Sequence, residues 1–256
     1  MLVKDQLNRT LQLSEIPVRI VSLVPSQTEL LVDLGLENKI VGVTKFCVHP
    51  KSLRKEKKIV GGTKDVHYDK IKTLRPDIII CNKEENTKEI VAACEKIAPV
   101  WVSDILTIED SLDMISSLGA IFNVADKASD LVAGINSEKD KFSNFVQHRP
   151  IQKVAYLIWK NPYMAASTNT FINSILQVNR YENIISDADS RYPEVTVDLL
   201  KLVDLVLLSS EPYPFKREDV IQLEELLQKQ VRLVDGEYFS WYGSRLRDAF
   251  MYFRTL

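Results

Sequence analysis

The chain has 256 residues, 45% hydrophobic and 27% charged, which is enough for two lobes of roughly 100 to 150 residues each. Its 33 basic and 35 acidic side chains give a formal net charge of −2, which offers no electrostatic reason to expect a nucleic acid or an anionic membrane as partner. No apolar run approaches the roughly 18 residues of a membrane helix, and the first twenty residues lack the apolar core of a secretory signal, so the sequence as given predicts a cytoplasmic protein.

In chain order, an N-terminal extension (residues 1–17) precedes a first α/β lobe (18–106). Strand-like β-branched runs occupy 19–24, 40–43, 77–81 and 100–102. Apolar residues at helical spacing lie between them, as in Leu30, Leu31 and Leu34. Alternation of strands and helices predicts a mainly parallel sheet.

A helical linker is predicted over residues 107–150. Its second part, residues 125–146, has apolar residues on one face and charged residues on the other. A helix of about 22 residues spans about 33 Å, so it can join two lobes as one stiff rod.

The second lobe (151–256) repeats the order of the first. We predict strands at 153–159, 183–185, 204–208 and 231–234, and helices at 171–178, 197–202 and 220–227. RPDIIICN corresponds to LVDLVLLS, and APVWVSD to QVRLVDG. The fold class is therefore α/β: two similar lobes with mainly parallel sheets, one long backbone helix, and a ligand cleft between the lobes.

Several segments carry a family resemblance that covers about residues 19–254. RIVSLVPSQTELLVDLGL, IVGVTKFCVHP and IVGGTKDVHYDKIKTLRPDIII, followed by the long helix and the second lobe, resemble the solute-binding proteins with a helical backbone. These class III periplasmic binding proteins deliver vitamin B12, ferric siderophores, haem or metal ions to ABC importers. WKNPYMAA, RYPEV, SSEPYPF and DGEYFSWYGSR look most like the cobalamin-receptor branch.

Open α/β sheets bind ligands at the carboxyl ends of their strands, and that rule selects the candidate ligand contacts. In the first lobe they are Ser26, Phe46, His49, Thr63 and Asn82. Ser26 has a second explanation, because Ser26 and Glu29 have the spacing of a capping box at the start of the first helix.

In the second lobe the candidate contacts are Trp159, Arg191, Tyr192, Glu237, Tyr238, Trp241 and Arg245. Aromatic rings supply rigid contact area for a flat macrocycle, and arginine can bind a carboxylate or phosphate in bidentate fashion. The neighbouring Phe239 and Tyr242 equally suit packing of the last helix on its sheet. Arg245 has the alternative of a salt bridge to Glu237 or Glu211.

Asp69 and Asp198 occupy corresponding places, each at the start of a helix that precedes a central strand. A favourable interaction with the helix dipole is sufficient to explain both. The resemblance implies another role, because the family carries one acidic residue on each lobe that docks with arginines of the permease dimer. Both positions are Asp here, where Glu is usual.

Metal and catalytic sites have little support in the sequence. The three histidines, His49, His67 and His148, lack the spacing that places two on one helical face, and no nucleophile elbow, P-loop, dinucleotide fingerprint or zinc-protease motif occurs. The cysteines, Cys47, Cys81 and Cys94, form no CxxC pair, so we expect buried free thiols.

We therefore expect a monomeric receptor without enzymatic activity or covalent cofactor, which binds a cobalamin-like corrinoid or ferric chelate. A permease dimer would be its partner if it is exported, and the family resemblance implies the periplasm. The alternatives are a bare metal-ion receptor and a cytoplasmic enzyme of nitrogenase-like architecture that binds a tetrapyrrole or metal cluster.

Overall fold

The structure, a computed structural model, describes residues 1–256, and the chain divides into two units. Unit 1 comprises Met1–Asp104, Glu109–Asn136 and Tyr242–Arg245. Unit 2 comprises Ile105–Ile108, Ser137–Trp241 and Leu246–Leu256. The chain therefore passes between the units more than once.

Unit 1 begins with two short strands and continues as alternating strands and helices. The elements are β1 (Leu2–Lys4), β2 (Thr10–Gln12), β3 (Ile20–Ser22), α1 (Pro25–Asp33), β4 (Ile40–Val43), α2 (Leu53–Glu56), β5 (Lys58–Ile59), α3 (Tyr68–Leu74), β6 (Ile78–Asn82), α4 (Lys88–Glu95) and β7 (Val100–Ser103). A 3-10 turn at Glu37–Lys39 precedes β4.

Sheet 1 contains five parallel strands in the order β5-β4-β3-β6-β7. All five residues of β6 are buried, which suits a parallel strand covered on both faces. One apolar cluster, which includes Val21, Ile71, Ile79 and Cys94, forms a core of this unit.

The N-terminal residues form an antiparallel hairpin of β1 and β2 beside the edge strand β7. The Asp5 side chain is completely buried and accepts hydrogen bonds from the backbone N–H groups of Leu7 and Arg9 and from Arg9 Nε. Trp101 Nε1 of β7 donates to the Lys4 carbonyl at 3.2 Å. This hairpin leaves no clear signal in the sequence, because its strands have three residues each and no apolar run.

Two helices follow β7: α5 (Ile108–Ile121) and α6 (Ala125–Val146). The predicted limits of the long helix, residues 125–146, are those observed. Its residues up to Asn136 belong to unit 1, and those from Ser137 belong to unit 2.

Unit 2 repeats the alternation. Its elements are β8 (Gln152–Trp159), β9 (Met164–Ala165), α7 (Phe171–Val178), β10 (Tyr181–Asn183), α8 (Val197–Leu200), β11 (Leu205–Ser209), α9 (Arg217–Leu227), β12 (Gln230–Val234), α10 (Gly236–Ser240) and α11 (Leu246–Phe253). The strand predicted at 183–185 lies two residues earlier, because the pairing with β8 begins at Tyr181 and Gln152.

Sheet 2 has the parallel order β10-β8-β11-β12, with β9 antiparallel to β8. In chain order, β8, β10, β11 and β12 take the positions that β3, β4, β6 and β7 take in sheet 1. The predicted fold class of two similar, mainly parallel α/β lobes is confirmed.

Threonine caps fix the starts of three helices. Thr87, Thr170 and Thr196 each accept a hydrogen bond from the backbone N–H three residues later, at 3.2 to 3.3 Å. Such N-caps satisfy a backbone donor that the helix itself leaves unpaired. They place α4, α7 and α8 at defined points after the preceding loops.

Candidate functional site

The carboxyl end of sheet 1 carries a buried polar cluster. Gln27 Nε2 donates to Ser103 Oγ and, at 3.3 Å, to the Tyr242 hydroxyl. Asn82 Nδ2 donates to the same Ser103 Oγ at 2.9 Å. These side chains are between 0% and 8% exposed, so bonds inside the protein hold this end of the sheet.

Asn82, a predicted ligand contact, shapes the loop that follows β6. Its Oδ1 accepts from the backbone N–H groups of Glu84 and Glu85 at 2.8 and 3.0 Å, and its own N–H donates to Asn86 Oδ1 at 2.9 Å. With the bond to Ser103, both ends of the Asn82 amide have protein partners. The residue therefore holds the backbone of Glu84 and Glu85 in place.

The predicted capping box at Ser26 and Glu29 is wrong. Helix α1 begins at Pro25 with Val24 as N-cap and no side-chain cap bond, so Ser26 lies one residue inside the helix. Proline suits this first position, because its missing N–H is one that the helix would leave unpaired. Ser26 is 5% exposed.

Glu29 forms a bidentate ion pair with Arg245. Arg245 Nε lies 2.9 Å from Glu29 Oε2, and Nη2 lies 2.6 Å from Oε1. Burial raises the pKa of Glu29 above its usual value, although the Arg245 charge acts in the opposite direction. Arg245 was predicted to form, as an alternative, a salt bridge with Glu237 or Glu211. It does form a salt bridge, but the carboxylate is that of Glu29.

The segment that contains Arg245, Tyr242–Arg245, belongs to unit 1 although it follows the strands of sheet 2. The Gly243 N–H donates to Ser111 Oγ at 2.9 Å. Gly243 has a φ of +96°, which L side chains rarely adopt, and a Cβ there would meet the Leu30 Cβ at 3.4 Å. The positive φ, and not a lack of space beside α1, therefore favours glycine at this position.

Three predicted contacts of unit 1 retain exposed surface. Phe46, in the loop after β4, is 48% exposed, and the Lys45 ammonium lies 5.0 Å from its ring centre. His49 and Thr63 are half-buried. The Thr63 carbonyl accepts from Asn86 Nδ2 at 3.0 Å, which ties its loop to the loop after β6.

In unit 2, Trp159 at the carboxyl end of β8 is 41% exposed. Its ring packs edge-on against Tyr213 with centroids 5.6 Å apart, and Tyr213 packs edge-on against Phe215 at 4.7 Å. Edge-to-face contact fixes the orientation of the rings and leaves part of the indole accessible.

Trp241, which the sequence favours as a ligand contact, is only 9% exposed. Its Nε1–H donates to Glu211 Oε1 at 3.0 Å, and Ser240 Oγ donates to the same oxygen at 2.8 Å. Burial, with Glu237 and Asp235 nearby, raises the pKa of Glu211. A Cβ on Gly236 would lie 2.6 Å from Glu211 Cγ, so glycine permits this close approach.

The remaining predicted contacts of unit 2 are half-buried. They are Arg191, Tyr192, Glu237 and Tyr238. Tyr238 stacks on Tyr252 with ring centroids 4.7 Å apart, and the Tyr192 N–H donates to Ser190 Oγ at 3.2 Å.

The two acidic residues predicted to dock with a permease are exposed. Asp69 lies in the first turn of α3 and Asp198 in the first turn of α8. The Asp198 side chain is 90% exposed and pairs with Lys201 at 3.0 Å. Solvent screening makes such an exposed pair weak.

All three cysteines are free and buried, as expected. The Cys47 thiol lies 3.2 Å from Thr28 Oγ1 and 3.3 Å from Thr44 Oγ1. No group of three or more histidine, cysteine, aspartate or glutamate side chains that could hold a metal ion occurs in the structure.

Sequence reasoning counted Gln27 and Tyr213 only among the residues that follow strand ends, and it did not consider Ser103. Ser103 had a usable signal, since it is the polar last residue of an apolar strand, whereas Gln27 lies in the first turn of α1. Tyr213 lies in the irregular segment SSEPYPF, where only its aromatic character marks it.

Comparison with known proteins gives a coherent group of relatives. A family model described as periplasmic binding protein matches residues 20–203. An uncharacterised ABC transporter substrate-binding lipoprotein of Bacillus subtilis is 26% identical, with 95% of this chain and 81% of that protein aligned. A vitamin B12-binding protein of Vibrio vulnificus is 24% identical over 70% of this chain and 66% of its own length.

Solved structures share the fold. The periplasmic vitamin B12-binding protein BtuF of Vibrio cholerae superimposes with a TM-score of 0.81, covering 94% of this chain and 96% of that one at 19% identity. A periplasmic heme-binding protein of Pseudomonas aeruginosa gives a TM-score of 0.78 at 21% identity, covering 93% and 91%. No helix here is both long and apolar enough to cross a membrane.

Proposed function

The chain belongs to the periplasmic binding protein family, and on that premise we propose that it is the receptor of an ABC importer for a cobalamin-like corrinoid or a ferric chelate. Proteins of this family bind substrates for transport, so the chain is a binding protein and not an enzyme. The alternative of a nitrogenase-like enzyme is thereby set aside.

The expected cytoplasmic location has no support among the relatives, whose names describe periplasmic proteins or a lipoprotein. We place the receptor at the outer face of the cytoplasmic membrane, where a substrate-binding protein meets its permease. We expect it to act there as a monomer.

The observation that carries the ligand class is the exposed indole of Trp159 at the carboxyl end of a parallel strand, held edge-on by Tyr213. Aromatic faces bury large apolar ligand area at low entropic cost. Relatives with this fold are named for vitamin B12, heme and a ferric siderophore complex, all of which are large metal chelates.

We propose that the predicted contacts divide into two sets. Those with exposed surface touch the ligand: Phe46, His49, Thr63, Trp159, Arg191, Tyr192, Glu237 and Tyr238. The others hold the loops that present them: Ser26, Asn82 and Trp241 are buried, and Arg245 is held by its bidentate ion pair with Glu29. Within each unit, capture then uses loops whose shape is fixed before the ligand arrives.

Binding is tested by isothermal titration of the protein with cyanocobalamin, haemin and a ferric hydroxamate, with Fe³⁺ and Zn²⁺ salts for the bare-metal alternative. We expect one-to-one submicromolar binding of one chelate, weakened at least tenfold by Trp159→Ala. Phe145→Ala is the matched control, because Phe145 is a 51% exposed aromatic residue on α6. If only a bare ion binds, or no titrant binds the folded protein, the ligand assignment is wrong.

We also propose that Asp69 and Asp198 dock on the two permease subunits, since both are exposed on corresponding helices of the two units. Asp69→Arg and Asp198→Arg should each reduce ligand uptake by cells at least fivefold without changing ligand affinity. Glu225→Arg, an exposed charge reversal on α9, should leave uptake unchanged. Equal uptake in all three variants would rule out docking through these residues.

A further inference from the structure

One edge of unit 1 concentrates basic charge that the composition conceals. Residues 45–75 contain ten basic and three acidic side chains, a net charge of +7. The remaining residues contain 23 basic and 32 acidic side chains, a net charge of −9. The total of −2 is therefore a balance between one positive segment and a negative remainder.

The centre of this segment is a set of five residues, called here the basic edge: Lys51, Arg54, Lys55, Lys57 and Lys58. They flank and occupy α2 and the outermost strand of sheet 1, β5. Leu53 between them is 0% exposed, which anchors α2 to the unit, and every member except the half-buried Lys57 is exposed.

The charges of the basic edge are not neutralised within the protein. The salt bridges of the chain involve other residues, and the one acidic side chain in the stretch 51–58 is Glu56. Arg54 Nη1 instead donates to the Lys45 carbonyl at 3.2 Å, which brings the backbone of a further lysine beside the set.

Four of the five members are lysines. A lysine ammonium is a compact, hydrated point charge, suited to diffuse negative charge, whereas bidentate recognition of single carboxylates or phosphates uses arginine forks. The stretch 51–58 has no aromatic residue on which a nucleic-acid base could stack. Clusters of four to eight basic residues beside a membrane helix or on an amphipathic helix attract anionic bilayers, and the basic edge offers five on a folded surface.

We propose that the basic edge is a docking surface for an anionic phospholipid bilayer. It orients the receptor, because the chain outside residues 45–75, with a net charge of −9, is repelled by the same membrane. The proposal goes beyond solute binding and involves none of the ligand contacts assigned above.

Protection of a sheet edge gives a simpler reason for some of these lysines, since edge strands often carry lysine against unwanted pairing. That reason covers Lys57 and Lys58 at the two-residue strand β5. It does not cover Lys51, Arg54 and Lys55, which lie before the strand and have no edge to protect.

The test is co-sedimentation of the whole protein with vesicles of phosphatidylcholine alone or with 30% phosphatidylglycerol, at 50 mM and 500 mM NaCl. We expect at least fivefold more protein bound to the anionic vesicles at low salt, and loss of the difference at high salt. In Lys51→Gln/Lys55→Gln/Lys57→Gln/Lys58→Gln the apparent affinity should fall at least tenfold, since each lysine near an anionic surface contributes about fivefold.

The matched control is Lys88→Gln/Lys96→Gln/Lys153→Gln/Lys229→Gln, which changes the net charge equally at lysines outside the segment. It should bind the vesicles within twofold of the unaltered protein. Single exposed variants, Lys51→Gln and Lys55→Gln, replace the quadruple variant if its circular dichroism shows a folding defect.

No preference for the anionic vesicles overturns the proposal and leaves edge protection, or an acidic protein partner, as the explanation. Equal losses in the two quadruple variants also overturn it, because overall charge and not the basic edge would then control binding. Solute titration is done without vesicles, so failure of this proposal and failure of the proposed function are distinguishable.

Discussion

At the carboxyl end of sheet 1, Gln27, Asn82 and Ser103 are buried and bonded to one another, whereas at the carboxyl end of sheet 2 Trp159 leaves 41% of its surface accessible beside Tyr213. The four parallel strands of sheet 2 follow the order of four strands in sheet 1, but only sheet 2 carries an antiparallel strand, β9, which pairs with β8 at Trp159. The loops differ as well: at sheet 1 the Asn82 side chain bonds to Ser103 within the protein, and at sheet 2 the Trp159 ring presents apolar surface. Each unit nevertheless combines contact and support, since Phe46 of unit 1 is exposed and Trp241 of unit 2 is buried.

The largest effect should come from the buried indole of unit 2. Trp241→Ala removes a side chain that is 9% exposed and leaves Glu211 without its indole donor, so we expect a loss of about 3 to 4 kcal/mol in the free energy of unfolding. Urea denaturation measures it. Trp159→Ala is the comparison and should cost less than about 1.5 kcal/mol. If both substitutions lowered the free energy of unfolding equally, the distinction between Trp241 as a structural residue and Trp159 as a ligand contact would be wrong.

The next effect concerns the ion pair of unit 1. Arg245→Ala should cost about 2 to 4 kcal/mol at pH 7, because it leaves the Glu29 carboxylate in a largely desolvated place. Arg247→Ala, two residues away in an exposed pair at 3.8 Å, is the control and should have little effect.

The pH dependence of that cost follows from Glu29. Its pKa is raised in the folded protein, so the folded state holds the proton more readily, and ionisation lowers stability as pH rises above about 4.5. The loss in the free energy of unfolding caused by Arg245→Ala should therefore be smallest near pH 4 and grow towards pH 7. A deficit independent of pH would mean that Arg245 acts through packing alone.

A smaller effect should appear at alkaline pH. Burial raises the pKa of Cys94 from 9.0 to about 11, so the folded state keeps a proton that the unfolded chain loses. Stability should fall by about 1 to 2 kcal/mol between pH 9 and 11, and Cys94→Ala should reduce that fall. Val91→Ala on the same helix is the control and should leave the pH slope unchanged.

The smallest effects should come from the acidic residues proposed to dock. Asp69→Asn and Asp198→Asn should each move the melting temperature by less than about 2 °C, because both side chains are exposed on first turns. Differential scanning fluorimetry is sufficient. A larger shift in melting temperature for only one of the two variants would indicate that the replaced aspartate has a structural role.

The sequence predicted the periodic elements well. The limits of α6 and α7 were correct because apolar residues recur along one helical face, which is a local property. Strands β4, β6 and β11 were predicted from short runs of apolar, mostly β-branched residues, which are also a local property of the sequence. The order of these elements along the chain then carried the family resemblance.

Other features depend on partners that no local pattern contains. Ser26 and Glu29 have the spacing of a capping box, but Pro25 occupies the first helical position, and Glu29 pairs with a residue 216 positions later. The sequence around Trp241 resembles a loop and suggests an exposed ring. The residue is only 9% exposed, and its Nε1–H donates to Glu211. The N-terminal hairpin depends on the buried Asp5 carboxylate, which a sequence shows only as one more acidic residue.

The segment Tyr242–Arg245 also has a consequence for synthesis. The chain contributes these residues to unit 1 only after all strands of sheet 2 have been made, so the bonds from Gln27 to Tyr242 and from Arg245 to Glu29 form last. A ribosome-bound chain that ends before residue 242 holds an unfinished first unit, whatever its strands have done. Residues 242–245, made after sheet 2, thus decide when the unit whose translation began first becomes complete.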